Sequence, residues 1–309
     1  MEYFTNIKNN IEKAIKNPEK AYNYASRKLK HIIPNIIYNY YYLFCPNPKK
    51  RGNVPATNDL IEKEIISKLR IENYNLLDLY IDKDDYKEYV DKVGYNRFPN
   101  YYGGDTSSEF FNKSLQHYLA AKLLNLSQED VYGDIACAAS PAADIYQKIY
   151  GCKVYRQDLG APEGIHGNLI GGDAGNMPVE DEFFTKMGLH CSFEHFERDS
   201  DMNFIKESSR VLKKGGKLCI IPLYLFNRYA MLSNPAFIVK SNTSIEEDAI
   251  LYCQKRLGQG YARFYDVLHL TTRVRNNLNG LKLTIYVIQN GKDVDPSCWV
   301  RFVALFEKD

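Results

Sequence analysis

Several features that mark secreted, zinc-binding or membrane-spanning proteins are missing from this sequence. Its seven cysteines are scattered, with no C-x-x-C pair, so we predict neither disulfides nor a zinc site and expect a reducing cytoplasm. Residues 1–17 carry both charge signs and are not predicted to be a signal peptide. The longest stretch without Lys, Arg, Asp or Glu, residues 31–48, contains Pro34 and Pro46, so no membrane-spanning helix is predicted.

Net charge is also small, but it is unevenly distributed. The 309 residues hold 40 Lys and Arg against 38 Asp and Glu, a formal charge of +2. Residues 1–51 alone hold ten basic and three acidic side chains, or +7, which leaves −5 for the remainder. We predict that this basic arm is a helical cap or a homodimer element. An alternative is a peripheral membrane anchor whose basic residues contact anionic lipid. Nucleic-acid binding is disfavoured because the rest of the chain is acidic.

The pattern of apolar residues divides the chain into a helical N-terminal region and an α/β domain. One or two helices are predicted in residues 1–51 and a short helix at residues 60–69, whereas the polar and aromatic residues 82–105 are predicted to be a loop. A helix is predicted to begin near Ser107 and Ser108, which are good N-caps. We therefore predict an accessory region at residues 1–105 and a domain at residues 106–309 with an insert at residues 223–280.

From residue 131 onward, short apolar strands alternate with helices, which predicts βαβ units and a parallel sheet. The last two strands are predicted to form a hairpin. The predicted strands are residues 131–136, 153–155, 169–171, 185–189, 217–222, 282–289 and 299–306. The predicted helices are residues 141–150 and 201–212, the second ended by a glycine cap at residues 214–216.

Residues 131–144, VYGDIACAASPAAD, form the first segment that carries chemistry. A strand ends in Asp134, small residues follow, and a helix begins at Ser140 and Pro141. Small residues let a ligand approach the backbone, and the helix N-terminus offers free N–H groups. The G-x-G-x-x-G fingerprint is absent, which argues against a nicotinamide oxidoreductase. A tight turn without a ligand is the structural alternative.

A second acid, Asp158, ends the next predicted strand, where it suits hydrogen bonding to ribose hydroxyls, although Asp is also a common turn former. Three segments follow in order: IGGDAGNMPVEDEF at 170–183, LHCSFEHF at 189–196 and ESSRVLKKGGKL at 207–218. The ordered set strongly resembles the class I S-adenosylmethionine-dependent methyltransferases of the type 11 group. The sequences of those proteins contain, in this order, the motif D-x-G-x-G-x-G, an acidic residue after the second strand, the motif G-D-A-x-x-x-P and the motif E-x-x-R-V-L-K-x-G-G. The resemblance covers about residues 107–222 and the terminal hairpin.

The resemblance implies an α/β fold, a Rossmann-like seven-stranded and mostly parallel sheet in an αβα sandwich. A C-terminal antiparallel hairpin closes the sheet, and an N-terminal helical extension precedes it. The implied cofactor is S-adenosyl-L-methionine, with S-adenosyl-L-homocysteine as product. The first motif would hold the methionine half, the acid after strand two the ribose, and the G-D-A segment the adenine. The residues implied to bind the cofactor are Asp134, Ala136, Cys137, Ala138, Ser140, Asp158, Leu159, Asp173, Ala174, His190 and Cys191.

One departure from the family pattern concerns the first motif. Its glycines are replaced by Ala136, Ala138 and Ser140, and we expect the cofactor to fit if the φ angles there are negative. The alternative is a degenerate, non-catalytic protein that binds S-adenosylmethionine.

Methyl transfer to a sugar or phenol oxygen benefits from a general base. His195 and Glu194 follow strand four, near where the methyl group would project, and a histidine titrating near neutrality accepts such a proton. Alternatively, the two residues begin a helix and stabilise it locally. Further candidates are His166, Tyr224 and His269. His190, Glu194 and His195 resemble a set of metal ligands, but no second carboxylate cluster accompanies them, so no metal is predicted.

The insert at residues 223–280 is predicted to select the acceptor, because its aromatic residues and arginines suit sugar rings or phosphorylated groups. The same residues can instead form the core of a lid. We predict O-methylation of a small polar molecule or glycan, with a lipid-linked or membrane-surface substrate as the alternative.

Overall fold

The computed structural model describes residues 36, 39, 42–43, 47–55, 58–101, 106–234, 244–254 and 260–309. The chain divides into two compact units, one formed by Met1–Val54 with Leu232–Gly260, the other by Pro55–Met231 with Tyr261–Asp309. The larger unit contains every residue that the sequence implicates in cofactor binding or catalysis. Residues 232–260 of the predicted insert belong to the smaller unit.

Strands and helices alternate along the larger unit as the apolar pattern predicts. The described strands are β1 Lys49–Arg51, β2 Asn75–Leu79, β3 Val131–Ile135, β4 Lys153–Asp158, β5 Gly164–His166, β6 Leu169–Gly171, β7 Phe184–His190, β8 Leu212–Ile221, β9 Ala230–Ser233, β10 Ile250–Cys253, β11 Tyr261–Phe264, β12 Leu281–Ile288 and β13 Phe302–Lys308. The described helices are α1 Asp59–Ile71, α2 Lys83–Val93, α3 Phe110–Leu124, α4 Ala142–Tyr150, α5 Ser200–Val211, α6 Val267–Arg273 and α7 Gly291–Val294, with 3₁₀ turns at Tyr95–Arg97, Phe193–His195 and Arg275–Asn277.

Nine of the described strands form one sheet in the order β2-β12-β13-β8-β7-β3-β4-β6-β5. Strands β8, β7, β3, β4 and β6 are parallel to one another, whereas β13 runs antiparallel to both β8 and β12. The predicted Rossmann-like α/β fold with a C-terminal antiparallel hairpin is therefore confirmed. Two strands beyond the expected seven extend the sheet, β2 beside β12 and β5 beside β6.

The central strands are buried on both faces, as expected for a parallel sheet covered by helices. On β7 the consecutive residues Met187, Gly188, Leu189 and His190 are all buried, although alternate side chains point to opposite faces. Helix α3 contacts β7 and β8 and is buried continuously from Phe111 to Ala121. The helix predicted to begin near Ser107 and Ser108 is therefore present, begins at Phe110 and packs on the sheet.

The segment at residues 82–105, predicted to be a loop, contains a helix, so that prediction is wrong. Asp82 caps α2 by accepting hydrogen bonds from the backbone N–H groups of Asp84 and Asp85 at 3.0 and 3.1 Å. Tyr89 and Val93 are the buried residues of α2. Packing of these two side chains against the core stabilises a helix whose sequence is otherwise mostly charged.

Strand β2 lies in the region predicted to be accessory, yet it belongs to the main sheet. It pairs in parallel with β12, with Leu76 opposite Ile285. Residues before 105 therefore contribute to the same sheet as the α/β domain, and the domain boundary at residue 105 stays a prediction.

The glycine cap predicted at residues 214–216 is also wrong. Helix α5 ends at Val211, and Leu212 already begins β8 opposite Phe184. The next paired residue is Lys217, opposite Lys186, so the intervening glycines lie within an irregularity of β8 rather than at a helix end.

In the smaller unit, β1 pairs in parallel with β10, with Lys49 opposite Leu251. The buried Asn47 side chain supports this pairing by donating to the carbonyl oxygens of Glu246 and Ala249 at 2.7 and 3.1 Å. Most of the helices predicted for residues 1–51 lie outside the described residues. No described helix is both long and apolar enough to cross a bilayer.

Candidate functional site

The candidate site lies at the carboxyl ends of the central parallel strands. Strand β3 pairs with β4 on one side and with β7 on the other, so successive strands are added in opposite directions from β3. Such a switch point leaves a crevice beyond the strand ends, which is where open α/β sheets bind ligands. The predicted site residues lie in the last positions of β3, β4 and β7 or in the segments just after β3, β4, β6 and β7, which brings them to this edge.

The turn after β3 holds two alanines in the left-handed conformation. Ala136 has a φ of 49° and Ala138 a φ of 44°, so the expectation of negative φ angles is wrong. The turn has the left-handed backbone conformation that glycine adopts without strain. For each alanine, this conformation raises the free energy of the folded protein by roughly 1–2 kcal/mol. Cys137 between them is buried, and burial raises the pKa of its thiol to about 12. Ser140 Oγ accepts a hydrogen bond from the N–H of Ala142 at 3.2 Å, at the start of α4.

Asp134, the last polar residue before this turn, is fully buried. Neither of its carboxylate oxygens has a hydrogen-bond partner within the described part of the chain. Burial raises the pKa of Asp134 to about 7, although the Ser140 side chain and Arg156 offset part of the rise. A buried carboxyl group without a partner is costly, so Asp134 fits a ligand that brings hydrogen-bond donors or positive charge. The ammonium group of the methionine half of S-adenosylmethionine has both properties.

Asp158, at the end of β4, faces the turn after β3. Its Oδ2 accepts a hydrogen bond from the N–H of Ala138 at 2.8 Å, and its Oδ1 accepts one from the N–H of Gly160 at 2.8 Å. Each carboxylate oxygen has further lone pairs, so the pair of oxygens can still accept from two ribose hydroxyls. Leu159 is 75% exposed, and an apolar side chain in this position fits packing against the adenine.

The loop after β6 carries the predicted adenine residues. Asp173 is exposed and its Oδ1 accepts from the N–H of Gly175 at 2.8 Å, while Ala174 beside it is buried. Gly171 ends β6, and a Cβ at this position would lie 1.8 Å from the carbonyl oxygen of Pro162. Only glycine allows this approach, which holds the segment after β4 against the end of β6.

His190 is the last residue of β7, and Cys191 follows it. The His190 side chain is buried, with Nε2 at 3.2 Å from the Tyr132 hydroxyl and its ring edge-on to His117 at 5.0 Å between centroids. Burial lowers the pKa of His190 to about 3, so the ring is neutral. Cys191 has a φ of 54°, its Sγ lies 3.6 Å from the Tyr224 hydroxyl, and burial raises the pKa of its thiol. Contact of these two residues with the sulfonium stays a prediction.

Glu194 and His195 form a pair on the 3₁₀ turn Phe193–His195. His195 Nδ1 donates a hydrogen bond to the carbonyl oxygen of Tyr261, and its Nε2 lies 3.5 Å from Glu194 Oε1. Glu194 is buried, which raises its pKa, and its Oε2 has no hydrogen-bond partner among the residues that the structure describes. The pair can therefore accept and hold a proton, as a general base does.

A buried ion-pair network, which the sequence did not reveal, fixes the segment that carries this pair. Arg263 of β11 donates to the carbonyl oxygens of Phe196 and Arg198 at 2.9 Å each and forms an ion pair with Asp201 at 2.8 Å. Arg273 binds the same carboxylate at 2.8 Å. These two arginines of the insert therefore bind other groups of the protein. No local pattern indicates the network, because each arginine lies more than 60 residues from the groups that it binds.

A lysine on α3 is a second feature that sequence reasoning missed. Lys113 is buried and lowers the pKa of Cys191 and of Glu194, partly offsetting the rise caused by their burial. Tyr224 stacks on Trp299 with ring centroids 6.0 Å apart. The available signal was a lysine between apolar positions of the predicted helix, a side chain that is seldom buried without a role.

The other base candidates have local partners. His166 is exposed, with Nε2 at 3.0 Å from the carbonyl oxygen of Glu163. His269 Nδ1 lies 2.7 Å from Asp266 Oδ1, and its ring stacks on Tyr229 at 3.6 Å. Within the described ranges, no group of three His, Cys, Asp or Glu side chains is arranged to hold a metal ion.

Comparison with known proteins places the candidate site within a recognised domain. Residues 133–220 match the family model described as a methyltransferase domain, a range that contains β4, β6, β7 and most of β8. No curated protein matches the sequence.

Among the solved structures that are similar to this chain are two methyltransferases with bound S-adenosylhomocysteine. One is the 1,6-didemethyltoxoflavin-N1-methyltransferase of Burkholderia thailandensis with bound S-adenosylhomocysteine, at 9% identity, 84% coverage of this chain, 94% of that chain and a TM-score of 0.42. The other is the geranyl diphosphate C-methyltransferase of Streptomyces coelicolor, also with S-adenosylhomocysteine, at 13% identity, 65% and 85% coverage and a TM-score of 0.37.

Proposed function

We propose that this chain, which contains a class I S-adenosylmethionine-dependent methyltransferase domain, methylates an oxygen atom of a small polar molecule or glycan. The observation that supports an oxygen atom as the methyl acceptor is the pair formed by Glu194 and His195 after β7. A hydroxyl acceptor must lose a proton as it attacks, and this pair offers a proton acceptor beside the switch point.

The proposed cofactor site uses three strand ends. Asp134 and the turn Ala136–Ser140 bind the methionine half, Asp158 binds the ribose hydroxyls, and Leu159 with the loop at Asp173 and Ala174 contacts the adenine. When bound, S-adenosylmethionine supplies a methyl group on a sulfonium sulfur. The protein contributes alignment of the acceptor and exclusion of water, which are large terms in such a displacement.

His195 acts as the general base in this proposal. Its Nδ1–H is held by the Tyr261 carbonyl oxygen, so the neutral ring presents Nε2 as the proton acceptor. Nε2 would take the proton of the acceptor hydroxyl as its oxygen attacks, and bound S-adenosylmethionine would supply the methyl group and leave as S-adenosylhomocysteine, with the electron pair of the broken bond on its sulfur. Glu194, 3.5 Å from Nε2, stabilises the imidazolium that results.

The remaining parts of the chain have accessory roles in the proposal. The insert at residues 223–280 selects the acceptor. The basic arm is a helical cap or a homodimer element of a cytoplasmic protein, with a peripheral membrane contact as the alternative, and nucleic acid is not its partner. A lipid-linked acceptor or a non-catalytic cofactor-binding role would be revealed by the experiment below.

The experiment measures binding and chemistry separately. S-adenosylhomocysteine affinity by calorimetry tests the cofactor site, and we expect Asp158→Ala to abolish binding. Transfer of a labelled methyl group to pooled polar metabolites, glycans and lipid extracts then identifies the acceptor. We expect His195→Gln to lower kcat by about 10²–10⁴-fold at unchanged cofactor affinity, and the matched control His269→Gln to leave both unchanged.

Two results would contradict the proposal. Binding of S-adenosylhomocysteine without transfer to any pool would favour the non-catalytic alternative. Loss of activity in His269→Gln but not in His195→Gln would refute the assignment of the base.

A further inference from the structure

Gln157 connects the two loops of the proposed cofactor site and was not singled out by its sequence context. Its side chain is almost fully buried at the end of β4. The amide oxygen Oε1 accepts a hydrogen bond from the N–H of Ala136 at 3.1 Å, and Nε2 donates to the carbonyl oxygen of Gly172 at 2.6 Å. The backbone carbonyl of Gln157 also accepts from the N–H of Cys137 at 3.0 Å.

The contact with Ala136 falls on one of the strained residues of the turn. Ala136 and Ala138 both have positive φ. This conformation has a higher free energy for alanine than for glycine, because the alanine Cβ crowds the backbone. Each of the two is held by a side chain from the end of β4, because Asp158 Oδ2 accepts from the N–H of Ala138 at 2.8 Å. Two consecutive residues, Gln157 and Asp158, thus clamp the two left-handed alanines.

The contact with Gly172 falls on the opposite loop. Gly172 precedes Asp173 and has a φ of 123°, a conformation open to glycine and few other residues. Its carbonyl oxygen is fixed by Gln157, and its N–H lies 3.4 Å from the backbone oxygen of Asp158. Gln157 therefore sets the separation between the turn proposed to hold methionine and the loop proposed to hold adenine.

We propose that Gln157 is a positioning residue that replaces the missing glycines of the first motif. Its side chain keeps Ala136 in the left-handed conformation and so preserves cofactor affinity in a turn built from alanines. The inference rests on the proposed function, because affinity for S-adenosylmethionine is its consequence. With glycine at position 136, the left-handed conformation would need no such support.

The test compares Gln157→Met with a matched control, Gln116→Met. Gln116 is also fully buried, but neither polar atom of its side chain has a hydrogen-bond partner among the described residues. We expect Gln157→Met to weaken S-adenosylhomocysteine binding by about 10–100-fold, since two hydrogen bonds are lost, and Gln116→Met to leave affinity within about threefold.

Rescue distinguishes positioning from general destabilisation. We expect Gln157→Met combined with Ala136→Gly to bind S-adenosylhomocysteine at least threefold more tightly than Gln157→Met alone, because glycine needs no support at position 136 although the contact with Gly172 stays lost. A double variant as weak as Gln157→Met would overturn the proposal, and so would wild-type affinity in Gln157→Met.

Hydrogen exchange supplies a readout that needs no cofactor. In the ligand-free protein, the amides of Ala136 and Cys137 should exchange at least tenfold faster in Gln157→Met than in wild type, with exchange in α3 unchanged. Unchanged exchange at these amides would refute the clamp even if the wild-type protein bound no S-adenosylhomocysteine. If the wild-type protein bound no S-adenosylhomocysteine but exchange at these amides rose in Gln157→Met, the proposed function would be contradicted and the positioning role of Gln157 would not.

Discussion

Asp134 offers a sharp test of the proposed cofactor site through proton linkage. Its pKa is raised to about 7 by burial, against about 3.9 for an unfolded aspartate. The folded protein therefore binds this proton more tightly than the unfolded chain does. Asp134 adds no cost below about pH 4, an increasing cost between about pH 4 and 7, and a constant cost above that.

The size of the effect follows from the difference between the two pKa values. About three pKa units correspond to about 4 kcal/mol of destabilisation of the ligand-free protein at pH 8. Asp134→Asn removes the titration, so we expect the variant to be more stable than wild type at pH 8 by up to about 4 kcal/mol. At pH 4 the difference should vanish. Urea unfolding at the two pH values measures both.

Cofactor binding should reverse the effect of burial on Asp134. An ammonium group beside the carboxylate favours its charged form, so binding of S-adenosylhomocysteine at pH 7 should release about 0.5 proton from a group that is half protonated. Calorimetry in two buffers of different ionisation enthalpy counts the protons. Asp134→Asn serves as the control for protons exchanged by the ligand's own amino group, and it should bind at least tenfold more weakly. Equal proton release by wild type and Asp134→Asn would refute the placement of the ammonium group at Asp134.

Three further predictions concern the turn, the ion-pair network and the adenine contact. Ala138→Gly should stabilise the ligand-free protein by about 0.5 kcal/mol in urea unfolding, since relief of left-handed strain exceeds the entropy cost of glycine; destabilisation by 1 kcal/mol or more would contradict the strain argument. Asp201→Asn should cost about 3–5 kcal/mol in the same assay, because Arg263 would be left buried without its carboxylate; a loss below about 1 kcal/mol would contradict this. Leu159→Ser should weaken S-adenosylhomocysteine binding by about 3–10-fold, because an apolar contact with the adenine is lost. Stability should not change, because the side chain is 75% exposed in the ligand-free protein. Unchanged affinity would show that Leu159 does not contact the adenine.

Much of the sheet could be predicted because its strands carry their own signal. Apolar runs bounded by acids and small residues marked β3, β4, β6 and β7, and their alternation with helices indicated parallel order. Helix α2 was missed because only two of its side chains are buried, and the packing that stabilises it comes from distant elements. Strand β2 was missed for the same reason, since its pairing partner β12 lies about 200 residues later.

The features of the candidate site also fall into those that local sequence predicts and those that depend on contacts between distant segments. The sequence alone determined which residues stand at the strand ends, because Asp134, Asp158, Asp173 and His195 each follow a recognisable local pattern. Only the tertiary structure decided that the alanines of the first motif adopt positive φ, that Gln157 spans two loops, and that Arg263 holds the segment with the candidate base. Local patterns record what a short segment prefers. Backbone strain, burial of charge and hydrogen bonds between distant segments arise only when the chain brings them together.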